Sequence, residues 1–187
     1  MVSSRAIVFA FAVAIVVAAL LAIAVYSYRR AKGSSRRNWE ELLKRLTAVD
    51  RGSIAQVALD LIDESGQQRT DAQSAVLEPA QIWKMVGGLE GLEVLEANCA
   101  VLIDLAFYVQ QWYPEALAVA ERLRLSAREI EWQVARLRSA RKTGKLESAF
   151  PMYAQRAVAT YYMMTRQVLA LYEEGNIAML ADLEKTI

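Results

Sequence analysis

The longest uninterrupted hydrophobic stretch of the chain runs from Ala6 to Val25. At a rise of about 1.5 Å per residue, roughly 20 helical residues cover the roughly 30 Å hydrocarbon core of a bilayer. Ala22 to Ala24 also has the Ala-x-Ala form of a signal-peptide cleavage site, but the apolar run exceeds the about 7 to 15 residues usual in such signals. The pattern therefore predicts a short tail over residues 1–5 and an uncleaved transmembrane helix over residues 6–28.

Five basic residues follow this segment and make up a juxtamembrane linker over residues 29–37. They are Arg29, Arg30, Lys32, Arg36 and Arg37. Only Arg5 precedes the segment, and Lys and Arg are enriched on the cytoplasmic side of membranes. We therefore expect an inner or plasma membrane protein with its N-terminus outside and residues 38–187 in the cytoplasm. The five cations are also placed to contact anionic lipid headgroups, although a stop-transfer signal alone explains them equally well.

Small residues recur at every fourth position of the predicted membrane helix and so share one of its faces. They are Ala6, Ala10, Ala14, Ala18 and Ala22. Because helices associate in lipid through close backbone approach, this row is a candidate packing face for other transmembrane helices of a membrane protein complex, or for a second copy of the chain. The alternative interpretation is that the segment is simply rich in alanine.

Beyond the linker, apolar residues recur at spacings of three and four, and no alternating strand pattern is present. This predicts an all-α fold in which residues 38–187 form an antiparallel helical bundle around two long helices. The predicted helices span residues 38–49, 53–65, 80–86, 89–112, 114–125, 126–143, 152–174 and 176–187. Two of these boundaries depend on local signals: Ser126 to Glu129 has the form of a capping box, and Pro151 is expected to precede the last long helix.

Composition narrows the range of functions. The chain has 22 basic and 21 acidic residues, but six of the basic ones precede the first acid, so the segment from Asn38 onward sets 16 basic residues against 21 acids. A net negative domain is unsuited to nucleic acid, which favours basic surfaces. With no histidine and one cysteine, Cys99, the chain has no Ser-His-Asp or Cys-His nucleophile and no Cys/His zinc set. We predict no cofactor and no metal.

Two acidic features favour structural roles. Glu90, Glu93 and Glu96 lie in the first turns of a predicted helix, where acids complement the helix dipole, and the bundle di-iron sites that use such glutamates also need Glu-x-x-His. Asp104 lies in an apolar run but off the heptad seam, so it either reaches solvent or, if buried, needs a cation. In the buried case Arg156 or Arg166 is the expected partner, and an ion pair is favoured over a catalytic acid.

The candidate partner surface combines basic and aromatic residues. Its members are Arg128, Arg136, Arg138, Arg141, Lys142, Tyr161 and Tyr162. The cations could face an acidic partner or anionic lipid, and tyrosines are common at interfaces. A solvated helix face and core packing are the ordinary alternatives.

These observations favour a non-catalytic, single-pass accessory or assembly subunit of a membrane protein complex, with lipid and other membrane proteins as partners. The alternative is a membrane-tethered ligand sensor or regulator. An enzyme is third, because carboxylate, lysine and tyrosine chemistry needs no histidine.

Overall fold

The computed structural model describes residues 39–63, 66–67, 77–175, 177 and 179–187. Within these residues the chain is 82% helical and forms no strand, which confirms the all-α prediction. No helix among the described residues has the length and apolarity needed to cross a bilayer. The predicted tail, membrane helix and basic linker, residues 1–37, lie outside the described residues and stay predictions.

Seven helices make up the described part of the compact unit Asn38–Ile187. They are α1 (Trp39–Arg45), α2 (Arg51–Leu61), α3 (Pro79–Val86), α4 (Gly88–Val109), α5 (Ala116–Lys142), α6 (Leu146–Glu174) and α7 (Leu180–Thr186).

The three long helices α4, α5 and α6 run up, down and up. Arg138, near the end of α5, reaches Glu93 near the start of α4, so these two helices are antiparallel. The Tyr172 hydroxyl at the end of α6 donates to the Leu105 carbonyl late in α4, at 3.1 Å, so α4 and α6 are parallel. The sequence predicted an antiparallel helical bundle around two long helices. The structure differs because α5 is also long and lies antiparallel to both of the others.

Helix α5 corrects the prediction of a boundary at Ser126. Its inward residues keep alternating spacings of four and three through that position, so interrupting the helix there would break a continuous packed stripe. The stripe consists of Ala116, Ala120, Leu123, Ala127, Ile130, Val134 and Leu137. A serine inside a helix costs only about 0.5 kcal/mol relative to alanine, far less than the packing it would forfeit. The Ser-x-x-Glu pattern is therefore not a capping box here.

The predicted start of α6 after Pro151 is also wrong, because the helix begins at Leu146 and includes the proline. Proline removes one backbone N–H and crowds the carbonyl four residues earlier, that of Glu147. Including Pro151 near the N-terminus of the helix therefore costs one backbone hydrogen bond. The extra helical turn, however, buries the Phe150 ring almost completely. Burial of a phenylalanine is worth about 2 to 3 kcal/mol, which offsets the loss.

Glycines make the corner between α3 and α4 tight. Gly87 and Gly88 have φ angles of +78° and +67°, a region that other residues rarely adopt. At Gly91, a Cβ atom would lie 1.7 Å from the carbonyl oxygen of Val86. The end of α3 therefore approaches the backbone of α4 at a point that only glycine allows.

A buried asparagine fixes the loop between α1 and α2. The Asn98 Oδ1 accepts from the Thr47 backbone N–H at 2.9 Å, and its Nδ2 donates to the Thr47 carbonyl at 2.8 Å. One side chain on α4 thus satisfies both backbone groups of a loop residue, as a neighbouring strand would.

Candidate partner-binding groove

A groove of about 750 Å³, open to solvent, lies between α3 and the start of α6. We call it the Trp83 groove. It is lined by Pro79, Ala80, Trp83, Arg141, Gly144, Leu146, Glu147, Phe150 and Pro151. Most of these side chains are apolar, and the two charged ones carry opposite signs. The groove therefore combines an apolar floor with a few polar groups, as protein-binding sites commonly do.

The floor of the groove is an aromatic pair. The rings of Trp83 and Phe150 are 4.3 Å apart between centroids and tilted by 50°. Phe150 is buried in the core, whereas Trp83 keeps 40% of its surface exposed. Gly88 permits this position, since a Cβ there would lie 2.9 Å from the Trp83 ring. The indole thus packs against Phe150 on one side, and its exposed surface is accessible to a partner.

Pro151 also lies in the wall of the groove. It has no backbone N–H, so the helical hydrogen bond to the carbonyl of Glu147 is not made. Both residues line the groove.

Positive charge gathers at the hairpin between α5 and α6. Arg141 lines the groove, and Lys142 and Lys145 are exposed beside it, with Glu147 as the acid of the same region. Cations at the end of α5 also complement the helix dipole. Within residues 141–147 three cations outnumber one acid, which favours an acidic group on a bound partner at the hairpin itself.

A second exposed aromatic pair lies farther along α5 and α6. The rings of Trp132 and Tyr153 are 6.0 Å apart, and the Arg136 guanidinium lies 4.8 Å from the Trp132 ring centroid. Trp132 is 47% exposed, close to the value for Trp83, but it does not line the groove.

The structure divides the residues of the predicted partner surface. Arg128, Arg136, Arg141 and Lys142 are exposed on α5, and only Arg141 lines the groove. Arg138 is instead engaged by two acids, with its Nε 2.9 Å from Glu93 and its Nη2 2.7 Å from Glu96. The hydrogen bonds that Arg138 donates to Glu93 and Glu96 raise its pKa above the ordinary value.

The tyrosines of that surface belong mainly to the core. Tyr161 is only 1% exposed and its hydroxyl lies 3.4 Å from the Asn98 amide, so its assignment to a surface is wrong. Burial raises its pKa to about 12. Tyr162 is half-buried and packs against the core, with the Arg166 guanidinium 6.0 Å from its ring centroid.

The acidic residues also find structural partners. Asp104 forms an ion pair with Arg45 on α1, with Arg45 Nη1 2.8 Å from Asp104 Oδ2, a partner that the prediction did not include. The reason is that α1 packs along α4, which the sequence pattern did not indicate. Glu90 is exposed at the start of α4. No group of acids or cysteine suited to a metal ion occurs in the part of the chain that the structure describes.

Cys99 is a buried thiol whose Sγ donates to the Leu95 carbonyl at 3.1 Å. Burial raises its pKa to about 12, so almost none is thiolate at neutral pH. Because the thiolate is the reactive form, a nucleophilic role is disfavoured.

Sequence reasoning missed the groove because its parts are far apart in the chain. Trp83 and Phe150 meet only when α3 packs against α6. The available signals were Trp83 in a short helix that begins at Pro79, and Pro151 directly after Phe150.

No known protein family, curated protein or solved structure matches this chain.

Proposed function

We propose that this chain is a single-pass, membrane-anchored, non-catalytic accessory subunit whose helical domain binds a segment of a partner protein in the Trp83 groove. The apolar segment and its basic flank support the anchor, and the alanine row supports a neighbouring membrane helix. The observation that carries the partner-binding role is the half-exposed Trp83 ring, which packs at a tilt against the buried Phe150, in a groove that Arg141 also lines.

The chemistry of the groove indicates what would bind. Tryptophan and arginine are the residues that most often dominate binding energy at protein interfaces. An apolar or aromatic side chain would cover the Trp83 ring, and a carboxylate would pair with Arg141. We therefore expect an extended or helical peptide that carries an apolar residue and an acid.

The sensor or regulator is the second candidate, and a different cleft is where its ligand would bind. This cleft of about 710 Å³ lies between the α1–α2 loop and the helices α3 and α4. Its lining includes Asp50, Ser53 and Lys84 among apolar residues. The Asp50 carboxylate accepts hydrogen bonds from the Ser53 hydroxyl and the Gly52 N–H in the first turn of α2, and these hydrogen bonds lower its pKa. It is therefore already engaged within the protein. The cleft is open to solvent, which suits a small ligand less than an enclosed apolar pocket does.

The test is co-purification of the full chain from its native membranes in mild detergent. We expect a specific partner that is lost at least tenfold with Trp83→Ala and with Arg141→Glu, a factor that corresponds to about 1.4 kcal/mol. Trp132→Ala is the matched control, since it removes an equally exposed tryptophan outside the groove. A wild-type chain that purifies as a lone monomer, or a partner retained by both groove variants, would refute the proposal.

Orientation is tested separately in sealed inside-out vesicles. A cytoplasmic domain would face the bath there, so added protease should digest residues 38–187. Protection of the domain would overturn this placement.

A further inference from the structure

One face of α5 lies opposite its packed stripe and carries exposed apolar residues. Trp132 is 47% exposed and Leu125 is 66% exposed. At about 100° per residue, three exposed residues lie within about 60° of Trp132 around the helix, namely Leu125, Glu129 and Arg136. We call Leu125, Glu129, Trp132 and Arg136 the Trp132 face.

The neighbours of Trp132 hold its ring in place. Tyr153 of α6 makes an edge contact with the indole, and the Arg136 guanidinium lies over the same ring. A guanidinium over a ring can still donate to a carboxylate from the edge of its plane. Because the indole is already held, a surface that binds it loses less side-chain entropy on association.

The two charged residues of the Trp132 face are placed evenly about its centre. Glu129 and Arg136 lie on the same flank of α5, and the midpoint between them falls between residues 132 and 133. Neither side chain forms an ion pair or hydrogen bond with another residue in the described part of the chain. Both charges are therefore available to a surface that binds this face.

We propose that the Trp132 face is the interface at which two copies of this chain form a symmetric dimer. A second copy that lies antiparallel, with the two-fold axis at the midpoint, brings Glu129 of one chain opposite Arg136 of the other. The reverse pair forms at the same time, because a two-fold interface repeats every contact. The two Trp132 rings meet at the centre, and Leu125 of each chain lies near the small, exposed Ser139 of the other.

The remaining charges of this stretch do not oppose the pairing. Arg138 is already held by two acids of α4. The other charged residues between positions 125 and 139 are two cations and two acids, Arg128, Arg136, Glu129 and Glu131. Arg156 of α6 adds one cation beside Glu129, in the wall of the same cleft. Two identical surfaces of nearly balanced charge avoid the repulsion that a single sign would cause.

The dimer leaves the Trp83 groove free. Arg141, which lines the groove, lies about 180° from Trp132 around α5, on the opposite side of the helix. One helix face buries less surface than the roughly 1,200 to 2,000 Å² of tight complexes, so we expect a reversible dimer. This inference depends neither on the membrane anchor nor on the partner that the groove binds.

The experiment is sedimentation equilibrium of the full chain in mild detergent over a concentration series. We expect a monomer–dimer equilibrium whose dissociation constant rises at least about tenfold with Trp132→Ala, because tryptophans often dominate interface energies. Trp83→Ala, which removes a tryptophan of similar exposure outside the face, should leave this constant unchanged. A wild-type chain that stays monomeric throughout the series would overturn the proposal. A dimer that survives Trp132→Ala would also overturn it, since the two chains are then joined elsewhere.

Charge reversal tests the pairing itself. Glu129→Arg alone and Arg136→Glu alone should each weaken the dimer at least about tenfold, because like charges then face each other twice. Mixing these two variants should restore a dimer, since every pair in the heterodimer again joins opposite charges. A mixture that stays monomeric would overturn the antiparallel arrangement. If circular dichroism shows that Trp132→Ala does not fold, Leu125→Asp replaces it with the same expected loss.

The dimer and the proposed function fail separately. A chain that dimerises but captures no partner through the Trp83 groove would refute only the partner-binding role. A chain that captures its partner and remains monomeric would refute only the dimer.

Discussion

Replacing Gly91 by alanine is expected to destabilise the domain, against the usual effect of that change. Inside a helix, glycine to alanine normally adds about 0.5 to 1 kcal/mol of stability, because it lowers the entropy of the unfolded chain. In this structure a Cβ at Gly91 would lie 1.7 Å from the Val86 carbonyl oxygen and 2.8 Å from its carbon. The obstructing atoms belong to the backbone, so no side-chain rotation relieves the contact.

The magnitude follows from the distance that must open. Ordinary van der Waals contact begins near 3.4 Å, so the end of α3 would have to move away from α4 by roughly 1.7 Å. Protein interiors are too densely packed to absorb this freely, and overpacking costs about 1 to 3 kcal/mol, occasionally more. Overpacking at the top of that range costs about 3 kcal/mol, and the gain in helix propensity returns up to about 1 kcal/mol. We therefore expect a net loss of about 2 kcal/mol of stability. For a protein of this size, that lowers Tm by about 4 to 8 °C.

The assay is urea unfolding of the full chain in mild detergent, followed by tryptophan fluorescence. Gly52→Ala is the matched control, since Gly52 is exposed in the first turn of α2 and the nearest atom to its Cβ is Asp50 Oδ1 at 3.4 Å. The control should be neutral or gain up to about 1 kcal/mol. A Gly91→Ala chain as stable as the wild type would refute the close approach of α3 and α4.

Three further predictions concern the core. Asn98→Leu should cost about 2 to 3 kcal/mol in urea unfolding, because it leaves the N–H and carbonyl of Thr47 without their partners. Cys99 should resist a maleimide at pH 8 in the folded chain and react fully in denaturant, since burial raises its pKa to about 12; rapid labelling of the folded chain would contradict its burial. Burial also raises the pKa of Tyr161 to about 12, and that of Tyr172 above its ordinary value. As the pH rises, the two hydroxyls therefore lose their protons later in the folded chain than in the unfolded chain. The two buried, protonated tyrosines contribute their full stabilisation below pH 10, and this stabilisation is lost as the pH rises toward 12. The urea concentration at the midpoint of unfolding should therefore fall as the pH is raised from 9 to 12. A midpoint that does not change with pH would contradict the burial of these two hydroxyls.

The helices themselves could be predicted from periodicity, because their inward residues follow the helical repeat. The helix predicted over residues 89–112 is Gly88–Val109, and the end of α6 at Glu174 was indicated by Gly175. The two false boundaries have a common cause. Ser126 and Pro151 are local signals worth about 1 to 3 kcal/mol, and each was overruled by apolar packing across the bundle.

The candidate site could be predicted only in part, for a related reason. A cluster of cations is visible in the sequence, but pairing between helices decides which of them are free. Arg138 is held by Glu93 and Glu96 from another helix, whereas Arg141, one turn away, lines the groove. The aromatic floor joins residues 67 positions apart, so no local pattern could reveal it.

The continuity of α5 matters most for the proposed function. A helix broken at Ser126 would join the start of α5 and the Trp83 groove through a flexible point. The observed helix is uninterrupted from Ala116 to Lys142, so it acts as a rigid spacer between the two ends of the domain. A partner bound in the groove would then be held at a nearly constant distance from the start of α5, which suits an assembly subunit that positions one protein relative to another. Weakening that spacer with Ser126→Pro should leave peptide binding at the groove largely intact while disrupting assembly of the complex, provided that circular dichroism shows the rest of the bundle folded. If assembly survives a kinked α5, a fixed spacing is not what the complex requires.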